Sequence, residues 1–205
     1  MGLGEFNGGG PVNKFIVIEG LDATGKSTLV EKLSLALSAT QLSCPPEIII
    51  PSLRKGHARP HFDSMSPLQR RAYYRFSNLV ASEEVGKYIA NSHVVMDRYW
   101  TSTAAFAAMD DGFEHDVELG QYPDEIRIPD LLILLTVDEP NRLKRLQGRG
   151  EVETTEESQL AASSKKRGKV LDAYKQFNPV IIDTSNKSPD QVCQEALYII
   201  EEAFQ

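Results

Sequence analysis

The sequence predicts an α/β protein built on a parallel sheet with helices on both faces, and three observations carry that prediction. Short apolar runs alternate with longer amphipathic stretches from Lys14 onward. Each run is rich in Val, Ile or Leu and too short for a helix, the pattern of strands covered on both sides. One run leads directly into a glycine-rich phosphate loop that opens a helix. Such alternation through a chain of 205 residues implies parallel crossovers within one compact domain, residues 14–205.

In chain order the strand candidates are Phe15–Ile18, Glu47–Ile50, Val94–Met96, Leu131–Val137 and Val180–Ile182. Several of the intervening helices announce their starts. Ser66 and Ser188 each stand as an N-cap before a first-turn proline, and Asp138 can cap the helix containing Pro140. The last helix carries Val192, Ala196, Ile199 and Ala203 along one stripe. Residues 1–13 are Gly-rich, without Lys or Arg, and read as a flexible leader or an expression remnant rather than a signal or transit peptide.

Composition sets limits on function. The formal charge is −7, which argues against a nucleic acid as the main partner. No apolar run approaches the length of a membrane span. An anionic ligand must therefore be held by local basic clusters, of which Arg54–Arg59, Arg70–Arg71, Arg142–Arg149 and Lys165–Lys169 are the candidates. Cys44 and Cys193 have no metal or redox spacing and read as buried reduced thiols. The four histidines likewise show no metal spacing.

The strongest local signal is Gly20-Leu21-Asp22-Ala23-Thr24-Gly25-Lys26-Ser27, followed by Thr28. This is a complete G-x-x-x-x-G-K-S/T phosphate loop, expected to bind ATP. Gly20 and Gly25 let successive N–H groups point at phosphate oxygens, and the following helix adds its N-terminal dipole. Lys26 supplies a mobile cation to the phosphates and Ser27 a hydroxyl for Mg²⁺. A second anchor is Asp97-Arg98-Tyr99, directly after the apolar run Val94-Val95-Met96. An acid at the carboxyl end of a strand beside the phosphate loop suits a Mg²⁺-organising role, shared with Ser27. Arg98 can bridge two phosphates that must approach in line.

The strings FIVIEGLDATGKST and VVMDRYWTSTAAFA, with Cys44-Pro45-Pro46, Arg54-Lys55, Arg70-Arg71-Ala72-Tyr73, Val80-Ala81-Ser82-Glu83, IPDLLILLTV and LKRLQGRG, resemble the thymidylate kinase family, within it the mitochondrial-type UMP–CMP kinase branch. The resemblance implies a three-layer P-loop fold with five parallel strands and a lid over ATP at about 148–169. It implies an ATP- and Mg²⁺-dependent kinase for pyrimidine nucleoside monophosphates (dUMP, dCMP, CMP and UMP), with thymidylate kinase as the alternative. By position, Asp22 would sit near the acceptor sugar, Arg54 and Arg98 near its phosphate and Phe76 against its base, with Tyr99 beside the sugar. Mitochondria are the implied compartment and a homodimer the common assembly.

Two departures bear on mechanism. Many eukaryotic thymidylate kinases carry an Arg in the loop where this chain has Ala23, whereas bacterial relatives supply that cation from the lid; Arg149 lies in the matching region. The family also follows its base-stacking Phe with an Arg four residues on, where Val80 stands after Phe76. Two other classes are weaker. A deoxynucleoside kinase would not need Arg54 and Arg98 converging on an acceptor phosphate. A guanine-nucleotide switch would need NKxD, and Asn186-Lys187-Ser188-Pro189 lacks the acid. Trp100 reads as core packing, and Lys165-Lys166-Arg167 as phosphate contact or plain solvation.

Overall fold

The computed structural model describes residues 12–46, 59–110, 117–148 and 155–205. Five strands form one parallel sheet: β1 (Phe15–Gly20), β2 (Thr40–Ser43), β3 (Val94–Asp97), β4 (Leu131–Thr136) and β5 (Val180–Asp183), in the order β2-β3-β1-β4-β5. Every residue of β1 is buried, because it lies at the centre with helices on both faces. The expected count is met, but not at every expected place. The second strand is Thr40–Ser43, an edge strand with only Leu42 as a large apolar residue, while Glu47–Ile50 lies outside the described residues. β5, the opposite edge, is exposed at all but Ile182, so continuous apolar sequence does not mean two covered faces there.

The helices are α1 (Lys26–Ala36), α2 (Arg59–Ser64), α3 (Pro67–Tyr88), α4 (Trp100–Ala107), α5 (Glu139–Gln147), α6 (Thr155–Ala162), α7 (Ser164–Lys175) and α8 (Pro189–Phe204). The three predicted caps are present. Ser66 and Ser188 each form a full capping box, with Gln69 and Gln191, and Asp138 Oδ1 accepts from Asn141 N at 2.8 Å. Alternation along β1 divides the core. Phe15 and Val17 pack with Met96, Ala81, Val85 and Trp100 on one face, while Ile16 and Ile18 pack with Leu29, Leu33, Val192 and Ala196 on the other. The buried stripe of α8 runs through Val192, Cys193, Ala196 and Ile200; Ala203 is exposed, so the stripe is rotated from the expected one. Leu134, Leu160, Val170 and Tyr174 form a third cluster that seats α6 and α7 against α4.

Both cysteines are buried and neither is in a disulfide, and Cys44 Sγ donates to Asn78 Oδ1 at 3.6 Å. Trp100 is core, its Nε1 donating to Gln121 O at 2.9 Å. Residues 1–11 of the expected leader lie outside the described residues, while Asn13 Nδ2 already donates to Ile89 O. Among the described residues, no helix is long and apolar enough to cross a membrane.

Candidate active site

Where β1 ends, the strand order reverses between its neighbours β3 and β4, the place where ligands bind in open α/β sheets. The phosphate loop, 20–27, occupies that position. Gly20 has φ +145°, and a Cβ there would meet Leu135 O at 2.5 Å and Thr24 Oγ1 at 2.9 Å. Gly25 is the left-handed N-cap of α1 and makes no side-chain cap bond, so the first amides of the helix are presented to the loop. Ala23 also takes a left-handed φ of 66°. Lys26 is 6% exposed; its Nζ donates to Leu21 O at 2.8 Å and lies 4.0 Å from Asp22. Burial, helped by Arg98, lowers its pKa to about 8 against the opposing pull of Asp22, Asp97 and Glu19.

The register Ile18↔Asp97 between β1 and β3 carries Asp97 to the side of the loop. Ser27 Oγ donates to Asp97 Oδ2 at 2.7 Å. Asp97 Oδ1 is buried and has no hydrogen-bond partner among the described residues. A hydroxyl next to a carboxylate oxygen that lacks a partner is a donor set of hard oxygens, and it suits Mg²⁺. Among the described residues, no group of three or more His, Cys, Asp or Glu side chains could hold a metal by itself.

Arg98 follows with φ 65°, its N–H donating to Ile18 O at 3.0 Å. Nη2 donates to Asp22 Oδ1 at 2.6 Å and Nη1 to Ser102 Oγ at 3.0 Å, with Tyr174 OH at 3.5 Å. The guanidinium lies 5.5 Å from the centroid of the Phe106 ring. Lys26, Asp22, Ser27, Asp97 and Arg98 are thus brought together. Glu19, one residue before the loop, was not among the expected site residues. It is fully buried, and burial raises its pKa to about 7 although Ser102, Arg98 and Tyr99 all favour the carboxylate. The sequence signal was an acid inside an otherwise apolar central strand.

Tyr99 is buried and Phe76 is exposed. The Tyr99 side chain is 1% exposed and edge-on to Phe15 at 5.3 Å, so it belongs to the core; only its backbone faces the site. Phe76 is 51% exposed, on the face of α3 opposite Asn78 and Ala81. Tyr73 and Tyr74 are half-buried and both pack edge-on to Phe62, at 5.5 and 6.1 Å, and Tyr74 lies one helical turn before Asn78. Asn78 is fully buried, its Nδ2 donating to Tyr74 O and to Thr103 Oγ1, both at 2.7 Å. Arg54 and Arg149 lie outside the described residues, as do His57 and His115. His93 Nδ1 accepts from Lys14 N, and His61 is exposed.

A cleft beside the loop was also missed. It is lined by Ala23, Gly25, Thr28, Arg145, Thr184 and Lys187, among others. Arg145 Nη1 donates to Ala23 O at 3.3 Å and to Thr184 Oγ1 at 3.0 Å, and Nη2 to Thr184 O at 2.7 Å. Arg145 therefore ties the phosphate loop to the segment between β5 and α8. Its signal was the basic string LKRLQGRG. Arg167, expected to contact phosphate or solvent, instead donates to Leu160 O and Ala161 O and pairs with Glu139. It is a strut between α5, α6 and α7.

Comparison with known proteins supplies the family. The thymidylate kinase family model matches residues 18–196. The chain is 39% identical to human UMP-CMP kinase 2, mitochondrial, over 92% of its own length but only 43% of that protein. It is 32% identical to a probable thymidylate kinase of Methanococcus maripaludis, covering 92% of this chain and 96% of the relative. Among solved structures, thymidylate kinase from Candida albicans superposes with a TM-score of 0.67 at 21% identity, covering 94% of each chain. Deoxyadenosine kinase from M. mycoides gives 0.61 at 13% identity, covering 91% of this chain and 99% of that one, a likeness of fold alone. With a phosphate loop, a Ser–Asp pair and a buried arginine converging at the switch point of a five-stranded parallel sheet, the chain belongs to the thymidylate kinase family of nucleoside monophosphate kinases.

Proposed function

We propose that the protein transfers the γ-phosphoryl group of ATP to pyrimidine nucleoside monophosphates, with dUMP, dCMP, CMP and UMP as acceptors. The observation that carries this reading is Arg98, a buried cation held by Asp22 of the phosphate loop and directly following Asp97. A guanidinium there can touch donor and acceptor phosphates at once and lower their mutual repulsion. Lys26 holds the β- and γ-phosphates, and the amides of Gly20–Thr28 cradle them. Ser27 and Asp97 would hold Mg²⁺, which when bound neutralises charge on the donor phosphates. The Arg145–Thr184 cleft takes the base of ATP. Arg54 contributes to the acceptor phosphate, and Arg149 supplies the lid cation that offsets charge on the transferring group where the loop has Ala23.

For the acceptor base we assign contact to Tyr74 in place of Phe76. The residue four positions after Tyr74 is Asn78, so the Arg typical of thymidylate kinases is missing in this register too. That supports the UMP–CMP branch, as does the similarity to the human enzyme. The same similarity is our ground for placing the protein in mitochondria, testable by cell fractionation. Leu68, Phe76 and Leu79 give α3 an exposed apolar stripe, and we propose that it pairs two copies. Light scattering should then return twice the chain mass of 22.8 kDa.

Thymidylate kinase remains the second reading, supported by the names of the archaeal and bacterial relatives. Initial rates with dUMP, dTMP, dCMP, CMP and UMP at fixed ATP separate the two. A dTMP rate far above the other four would move the assignment to thymidylate kinase. Turnover of deoxyuridine in preference to dUMP would move it to the nucleoside kinases.

A further inference from the structure

Glu19 is the one acid in a strand whose six residues are all buried. An ionisable group with no exposed surface is costly unless its oxygens are satisfied, so its partners indicate what keeps it there. Oε1 accepts from the backbone N–H of Tyr99 at 2.9 Å and of Ser102 at 3.0 Å, and Oε2 accepts from Ser102 Oγ. Those amides open α4, whose own N-cap residue, Tyr99, makes no side-chain capping bond. Glu19 therefore caps α4 from the neighbouring central strand.

The Ser102 hydroxyl continues the connection to Arg98. Ser102 Oγ lies 3.0 Å from Arg98 Nη1 and 2.8 Å from Tyr174 OH. An arginine can only donate, and a serine has one hydrogen and two acceptor sites. With that hydrogen on the Glu19 carboxylate, Tyr174 must donate to Ser102, and Ser102 must accept from Arg98. Each hydrogen then has an acceptor, and the order runs from Tyr174 through Ser102 to Glu19, with Arg98 donating into it. Arg98 itself has a left-handed φ that a non-glycine residue keeps only when its surroundings impose it. Its backbone N–H is held by Ile18, the residue before Glu19.

We infer that Glu19 is a positioning residue, which sets the direction of the Arg98 guanidinium through the first turn of α4 and the Ser102 hydroxyl. The inference rests on the kinase reading only in taking Arg98 to bind phosphate. Glu19→Gln preserves shape and leaves an oxygen for the two backbone N–H groups, but puts an NH₂ where Ser102 needs an acceptor. The serine hydrogen must then turn toward Tyr174, and the partners of Arg98 rearrange.

The test uses the full chain, ATP and the best of the five acceptors. Wild type, Glu19→Gln, Arg98→Ala and the double variant are compared. Glu19→Gln is expected to lower kcat about tenfold or more and to leave the KM for ATP within about twofold. Added to Arg98→Ala it should change kcat by less than about twofold, because the residue it acts through is gone. Equal losses in both backgrounds would overturn the inference. So would a raised KM for ATP with kcat unchanged, the mark of a merely disturbed loop. Ser102→Ala, which removes the hydroxyl without touching a charge, is expected to show the same non-additivity and serves if Glu19→Gln folds poorly. Amide exchange without nucleotide provides an independent arm: Glu19→Ala should speed exchange at Tyr99 and Ser102, and unchanged exchange would remove the cap. A wild-type protein that phosphorylates none of the five acceptors would sink the kinase reading instead, and the exchange result would still decide the cap.

Discussion

The two loop glycines carry different burdens, and substitution should separate them. At Gly20 a methyl group would press on Leu135 O, a backbone atom of β4 that cannot move without breaking the ladder to β1. At Gly25 nothing lies within 4 Å of the added Cβ, so only the left-handed φ opposes it. Gly20→Ala is expected to cost on the order of 2–3 kcal/mol of stability and to abolish ATP binding. Gly25→Ala should cost about 1–2 kcal/mol, as measured by denaturant titration. Ala23 occupies a left-handed position without glycine, and its short side chain brings no charge to the loop. On the proposed function, the lid's Arg149 supplies the cation that Ala23 does not. Arg149→Ala is therefore expected to reduce kcat by on the order of 10²–10³-fold with little change in KM; a loss of only a few-fold would reject the lid assignment.

Within α3, helical period decides which aromatic can reach a nucleotide. Phe76 fits the family pattern by position and is exposed, while 3.6 residues per turn put Asn78 on the buried face and leave Tyr74 half-buried against Phe62, and our proposal takes Tyr74 as the base contact. Tyr74→Leu is expected to raise the acceptor KM about tenfold, the scale of one lost stacking contact, with the KM for ATP unchanged. Phe76→Leu should alter either constant less than about twofold. If Phe76→Leu gave the larger effect, the register assigned to the base site would be wrong. The same physics explains which elements could be read in advance. β1, β3 and β4 are covered on both faces and show it as apolar runs, and Ser66, Asp138 and Ser188 announce their helices by cap chemistry that is local to the chain. β2 is an edge strand of mostly polar residues, held by its ladder to β3, so its pairing has no local signature. Within the candidate site, the convergence of Lys26, Ser27, Asp97 and Arg98 was legible because motif spacing places all four at the carboxyl ends of β1 and β3. Glu19, Ser102, Tyr174 and Arg145 were not, because their roles come from contacts across 39 to 122 positions of sequence.

For the molecule as a whole, the cost of assembling this site should appear as a pH dependence of folding. The phosphate loop, the Asp97-Arg98 turn and α7 meet around a carboxylate with no exposed surface. Burial raises the pKa of Glu19 from 4.5 to about 7, the bonds from Ser102 and the charge of Arg98 offsetting only part of it. A raised acid binds its proton more tightly in the folded than in the unfolded chain, so its contribution to stability is fully present below pH 4.5 and is lost as pH rises through about 7. At 1.36 kcal/mol per unit the loss across that window is at most about 3 kcal/mol. Lys26 does not obscure it, since its lowered value of about 8 leaves it protonated in both states through most of the interval. Denaturant titrations of wild type and Glu19→Gln at pH 5, 6, 7 and 8 should therefore diverge. Wild type should lose stability relative to the variant as pH rises, most steeply midway between 4.5 and about 7, and the gap should level off above about 7, because the amide cannot ionise. Parallel curves would mean that Glu19 keeps an ordinary carboxylate pKa in the folded protein, and that its three hydrogen bonds fully offset its burial.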